Sequence, residues 1–218
     1  LGNAAKKLNR SAMDENSIQS VHAPGAGEVA APSVWRFEMA SRASLIVDAA
    51  GYFELIREAM LKARQSIFLI GWDFDTRIHL AGQRQRWKLG RSEGGSEYPA
   101  RLGAFIVWLA KRSPTLQVNI LKWNFALVKS LFRGAMVLDL LRWAFMDRID
   151  FKFDSAHPVG SSHHQKIVVI DDHFAVCGGI DMTSDRWDTR EHLHEDIRRR
   201  MPNGKPYSPW HDVTMMME

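Results

Sequence analysis

The chain has 218 residues, 45% of them apolar, 25% charged and 10% aromatic, which is enough for one sizeable core and excludes a low-complexity or repeat architecture. A formal net charge of +4 suits phosphate-bearing partners, whether phospholipid headgroups or nucleic acid, without choosing between them. The single cysteine, Cys177, excludes an internal disulfide, and its place in Phe174-Ala175-Val176-Cys177 reads as a small core residue rather than a nucleophile.

Residues 1–33 are rich in Ala, Gly, Ser and Asn and have no apolar period, so they read as a flexible leader to a domain over 34–218. The first residue is Leu1 and no apolar stretch follows it, so no signal peptide is read. The expectation is a piece of a longer protein, cytoplasmic or peripheral to a membrane. Ser44 to Asp48 reads as a short strand, and Tyr52 to Arg64 as an amphipathic helix with Phe53, Ile56, Met60 and Leu61 inward. Ser66 to Trp72 is a buried strand that runs into the polar Trp72-Asp73-Phe74-Asp75.

Gln83 to Pro99, glycine-rich and charged, reads as a surface loop. A helix over Ala100–Lys111 and a buried strand over Leu116–Leu121, ending in Lys122-Trp123-Asn124, come next. An apolar helix from about Ala126 to Phe145 follows, with Lys129, Arg133, Asp139 and Arg142 arguing against a bilayer span. A strand over Ile149–Phe153 completes an alternation that predicts an α/β layer architecture with a largely parallel sheet. Ligands of such sheets sit beyond the carboxyl ends of strands, so Trp72-Asp73 and Trp123-Asn124 are candidates for a pocket rim.

Ser161 to Asp171 carries the chemistry. Residues two apart on a strand share a face, so His164 and Lys166 project together and Gln165 faces away. An imidazole beside an ammonium places a nucleophile next to a charge that neutralises phosphoryl oxygens. Asp171 falls on the opposite parity, in the turn to the next strand, and is given a supporting role. Gly178-Gly179 would let a ligand approach the backbone.

His164, Lys166, Asp171, Gly178 and Gly179 together resemble the H-x-K-x4-D-x6-G-G/S motif of the phospholipase D superfamily. Gly71-Trp72-Asp73, His157-Pro158-Val159-Gly160, Gly179-Ile180-Asp181, Arg186 to Thr189 and Pro209 to Val213 are similar to the flanks of phospholipase D proper. The resemblance implies an α/β/α sandwich with a mixed, largely parallel sheet and a phosphodiesterase working through a phosphohistidine, without a metal or other cofactor. It makes His164 the nucleophile, Lys166 a phosphate ligand and Asp212 the carboxylate on the nucleophile's far nitrogen. Trp72, Gly178, Gly179, Asp181 and Arg186 fall on the substrate side, although an ionised Asp181 accepts but cannot donate and so suits holding Lys166 or a backbone amide.

The family's site joins two such motifs, yet none of His22, His79, His157, His163, His173, His192, His194 and His211 has a lysine two residues on. The chain is therefore expected to be an N-terminal catalytic half. Its partners would be a phospholipid at a membrane surface and a second half with the other motif, or a second copy in a homodimer. The near-balanced charge argues against nucleic acid. The alternatives are a dimeric nuclease of the same superfamily and a non-catalytic lipid-binding half-domain.

Overall fold

The computed structural model describes residues 38–80, 90–91, 97–123, 134–158 and 161–218. The proposed leader, residues 1–33, lies outside them. A compact unit covers Ala40–Glu218.

The elements follow the apolar pattern. In chain order they are β1 (Ala43–Val47), α1 (Ala49–Lys62), β2 (Ser66–Gly71), β3 (Gly90–Arg91), β4 (Glu97–Tyr98), α2 (Leu102–Arg112) and β5 (Gln117–Trp123), then α3 (Gly134–Ala144), β6 (Ile149–Asp154), β7 (Lys166–Ile170), β8 (Phe174–Gly178) and β9 (Val213–Met217). Helix α1 turns Tyr52, Phe53, Ile56 and Met60 inward, a helical period that makes one buried stripe. Strand β2 buries Ile67 and Leu69 and leaves Phe68 exposed between them, the alternation of a sheet with one well-covered face. The short β3–β4 pair occupies part of the stretch expected as loop.

Seven strands form one sheet in the order β1-β9-β8-β7-β2-β5-β6. The α/β class and a mixed sheet are as expected, but parallel pairs are the minority rather than the majority. Parallel pairing is confined to β2-β5 and β5-β6, and the other four neighbours are antiparallel. The tight Asp171–His173 turn between β7 and β8 explains part of this, since a connection that short joins only antiparallel strands.

Helices α1, α2 and α3 pack into one continuous core on a single face of the sheet, against Ile67, Leu69, Val118, Ile120, Val168, Ile170 and Val176. A second helical layer is not among the described residues. Cys177 corrects the sequence reading: next to buried Val176 on β8, it takes the opposite parity and is exposed. Helix α3 begins at Gly134, and the expected start near Ala126 lies outside the described residues. Among the described residues, no helix is long and apolar enough to cross a membrane.

Candidate active site

The apolar runs of the central strands end together. Gly71, last in β2, pairs with Lys122 of β5 on one side and Lys166 of β7 on the other. Lys166 opens β7 and points to the buried face, 7% exposed. Its ammonium lies 3.2 Å from Asp181 Oδ2 and donates to the carbonyl of His164 at 3.0 Å.

His164 precedes the strand and is exposed. Its ring stands 5.5 Å from that of Trp72, and the Lys166 ammonium lies 5.9 Å from the same indole. Imidazole and ammonium therefore both neighbour one aromatic ring. Trp72 stacks on Trp123 at 5.6 Å with 19° between the planes, which places both predicted rim residues together. Asn124 lies outside the described residues.

The plate continues into residues that sequence reasoning did not assign. Trp123 Nε1–H donates to His157 Nε2 at 2.9 Å, and His157 meets His163 edge-on at 5.6 Å. His163 Nδ1 bonds the Asp154 carboxylate, and that bond is the main reason the carboxyl sits below its ordinary range. The available signal was the doublet His163-His164, whose members must face opposite ways on an extended chain.

Beneath the plate, charges interlock. Asp181, 2% exposed, accepts the Asp73 N–H at 3.1 Å on one oxygen and faces Lys166 with the other. Burial pushes its carboxyl up from the ordinary value, against the pull of the Asp73 N–H and Lys166. Fully buried Lys122 lies 2.9 Å from Asp73 Oδ1 and donates to the Phe74 carbonyl at 3.0 Å. Asp73 Oδ2 also accepts the Thr183 hydroxyl at 2.8 Å. Burial, with the Asp181 charge second, raises the Tyr52 phenol well above its usual range. Two buried ammonium groups are thus matched by two buried carboxylates, the arrangement a low-dielectric interior requires.

Several residues grouped with His164 in sequence lie elsewhere. Asp171 sits at the far end of β7 and accepts the N–H groups of Arg64, Gln65 and Ser66 at 2.9, 2.8 and 2.9 Å, which seats the start of β2. Asp212 is not hydrogen-bonded to His164: its carboxylate accepts the Val213 N–H at 2.8 Å, and β8 and β7 separate β9 from β2. Gly178 and Gly179 make room for protein. A Cβ on Gly178 would lie 2.5 Å from Thr214 Cα, and one on Gly179 would lie 2.0 Å from Asp212 Oδ1. Arg186 stacks on Trp210 at 4.0 Å and pairs with Asp185 at 2.6 Å, with no contact to Lys166 or His164.

An exposed imidazole and a buried lysine thus share one aromatic neighbour at the ends of the central strands of a mixed α/β sheet. Phospholipase D1 of Cricetulus griseus is 31% identical over 162 residues, covering 69% of this chain and 14% of its own length. The human phospholipase D1 is 30% identical over 155 residues, with 69% and 13% covered. Phospholipase D zeta 1 of Arabidopsis thaliana is 26% identical over 167 residues, with 77% and 14% covered. The chain belongs to the phospholipase D superfamily, and it spans about one seventh of the length of these relatives. No family model matches it. Among solved structures, Nuc of Salmonella typhimurium, a phospholipase D family member, has a TM-score of 0.43 at 15% identity, with 81% of this chain and 83% of Nuc covered. Phosphatidylserine synthase of Haemophilus influenzae has a TM-score of 0.47 at 11% identity, with 80% and 34% covered.

Proposed function

We propose that this chain supplies the nucleophilic half of a phosphodiesterase acting on glycerophospholipids at a membrane surface. The observation that carries the reading is the approach of both His164 and Lys166 to the Trp72 ring, with the imidazole exposed and the lysine buried. A ring nitrogen of His164 attacks phosphorus, an N–P bond forms, and the P–O bond to the head-group alcohol breaks. Lys166 offsets charge on the phosphoryl oxygens while Asp181 fixes where its ammonium sits. Water then attacks phosphorus, the N–P bond breaks, and phosphatidic acid leaves.

Both steps need a group that gives the leaving oxygen a proton and later takes one from water. No second H-x-K segment occurs in the sequence, so that group is assigned to a further part of a longer protein or to a second copy of this chain. Asp212 is proposed as a backbone-side support rather than the orienting partner of His164, because its carboxylate bonds Val213.

The test is release of the head-group alcohol from phospholipid vesicles by the 218-residue chain, alone and with the remainder of the longer protein, beside His164→Ala. The chain alone should turn over slowly and the complemented protein rapidly. Loss of a positioned proton donor typically costs about 10²–10⁴ in rate. Rapid, concentration-independent turnover by the chain alone would remove the half-site reading, and full activity of His164→Ala would remove the nucleophile.

A further inference from the structure

A recess of about 490 Å³ opens between the segment that follows β2, the segment that follows β8 and the loop that precedes β9. Neither His164 nor Lys166 is in its wall, so it is separate from the proposed phosphodiesterase site. Three guanidinium groups, those of Arg77, Arg198 and Arg200, line it, and no carboxylate does.

Two of these groups are locked from behind. Arg77 donates through Nε and Nη2 to the two carboxylate oxygens of fully buried Asp75, at 2.9 and 2.8 Å. Arg198 donates in the same way to Asp196, at 2.9 Å from Nε and 2.6 Å from Nη2, and lies 5.2 Å from the centre of the Trp187 ring. In both arginines Nη1 makes no hydrogen bond among the described residues. A fork already held by a buried carboxylate loses little side-chain freedom on taking a second acceptor. Arg200 has no carboxylate partner among the described residues, and its side chain reaches the Gly204 carbonyl at 3.4 Å. The Ser184 hydroxyl, in the same wall and in a residue 8% exposed, has no hydrogen-bond partner among the described residues. The recess is thus lined by fixed donors and one uncompensated positive charge.

We propose that this recess binds a phosphate monoester. Such a group carries about 1.5–2 negative charges at neutral pH and presents three strong acceptor oxygens. The Nη1 groups of Arg77 and Arg198, the Arg200 guanidinium and the Ser184 hydroxyl supply donors for those oxygens, and planar guanidiniums suit phosphate geometry. A phosphodiester, with a single charge and fewer free oxygens, would leave part of that set unused. Phe53, Ile78 and Trp187 give the recess an apolar side, and its volume leaves room for a small organic group beside the phosphate. Thr183, also in the wall, donates its hydroxyl to Asp73 Oδ2 at 2.8 Å. The recess therefore backs onto the carboxylate that pairs with Lys122 and is linked through its N–H to Asp181.

The test titrates the 218-residue chain with glycerol 3-phosphate by calorimetry and follows the side-chain ¹⁵N resonances of its arginines. The ester should bind and move the Arg77, Arg198 and Arg200 signals. Arg200→Ala and Ser184→Ala, which break no buried ion pair, should each weaken that binding by about 10- to 100-fold, the loss of one hydrogen bond to a charged group. Lys152→Ala, on the distant edge strand β6, should bind as the parent does, and the arginine shifts should persist in His164→Ala. Glycerophosphocholine, a diester, should bind at least about tenfold less tightly. Vesicles carrying phosphatidic acid separate the two sources of a monoester. Capture of the chain that glycerol 3-phosphate displaces and Arg200→Ala loses assigns a lipid headgroup, and binding of the soluble ester without such capture assigns a soluble ligand. If a variant fails to fold by circular dichroism, the arginine signals of the parent decide. Absence of binding, arginine signals unmoved at saturation, equal binding by the parent and the folded variants, or a diester held as tightly as the monoester would each overturn the site.

Discussion

Replacing Gly178 with alanine places a Cβ 2.4 Å from Thr214 Oγ1, 2.5 Å from Thr214 Cα and 2.7 Å from the Val213 carbonyl oxygen. Two of these atoms are backbone, so no rotamer change relieves the clash. Ordinary contact begins near 3.4 Å, so β9 would have to retreat by roughly 1 Å from β8. Strand β9 is also paired with β1 on its other edge, which leaves it little freedom to move. Overpacking of this kind costs about 1–3 kcal/mol, and the rigid neighbours put Gly178→Ala at the upper end. With a urea slope of about 2 kcal/mol/M, the unfolding midpoint should fall by about 1–1.5 M. Gly134→Ala is the control: nothing lies within 4 Å of its Cβ, and the helix should gain up to about 1 kcal/mol. A midpoint for Gly178→Ala within error of the parent, together with a raised KM for phospholipid, would show that the glycine serves ligand approach after all.

Asp171→Ala should lower stability by about 1–3 kcal/mol through the three N–H groups it leaves unpaired, read as a shift in urea midpoint with KM unchanged. Trp72→Ala removes the ring that His164, Lys166 and Trp123 share, and should lower head-group release at least about tenfold, or about 1.4 kcal/mol, in vesicle assays. Among the described residues, five carboxyls lie below their ordinary range: Asp154 through His163, Glu191 through the Thr189 hydroxyl, Asp196 through Arg198, and Asp171 and Asp188, where burial pulls upward but hydrogen-bond donors outweigh it. A folded-state value below the unfolded one contributes stability above the ordinary carboxylate range and loses it as pH falls through the folded value. Asp181, raised by burial, works in the opposite sense and is alone in this among the described carboxyls. Urea midpoints should therefore fall as pH is lowered below the ordinary carboxylate range, and a midpoint that rises there would refute the assignment.

The fold was legible where apolar periodicity has one solution. Strand β2 and helices α1 and α2 fall within a residue or a few of their predicted limits. Strand direction was not legible, because an apolar run such as Val168–Ile170 looks the same whichever way its neighbour runs. His164, Lys166 and Trp72 were readable as a group from period-2 spacing and strand-end position. The roles of Asp171, Asp212 and the glycine pair were not, because spacing fixes parity along one strand and says nothing of which distant backbone fills the space beside it. Three N–H groups from 64–66 meet Asp171, and β9 meets Gly178, across more than thirty residues of sequence.

The lysine pair offers the sharpest separation of structural from chemical roles. Lys122 and Lys166 flank Gly71, each facing one buried carboxylate, and a backbone N–H links those carboxylates through Asp73. Lys166→Met would leave Asp181 buried without its ammonium, and removing one partner of such a pair costs about 3–5 kcal/mol. Asp181→Asn keeps an acceptor for the Asp73 N–H but strips the counter-charge from Lys166, so it should also destabilise. The double variant leaves neither charge alone. Its loss should be smaller than the sum of the two single losses by at least about 1 kcal/mol, as expected for groups in contact. Activity should behave differently, since a phosphate ligand lost with Lys166 is not returned by neutralising Asp181: the double variant should regain stability and remain inactive. Strictly additive urea midpoints would mean that the 3.2 Å contact carries no coupling, and recovered turnover in the double variant would remove Lys166 from the proposed phosphate site.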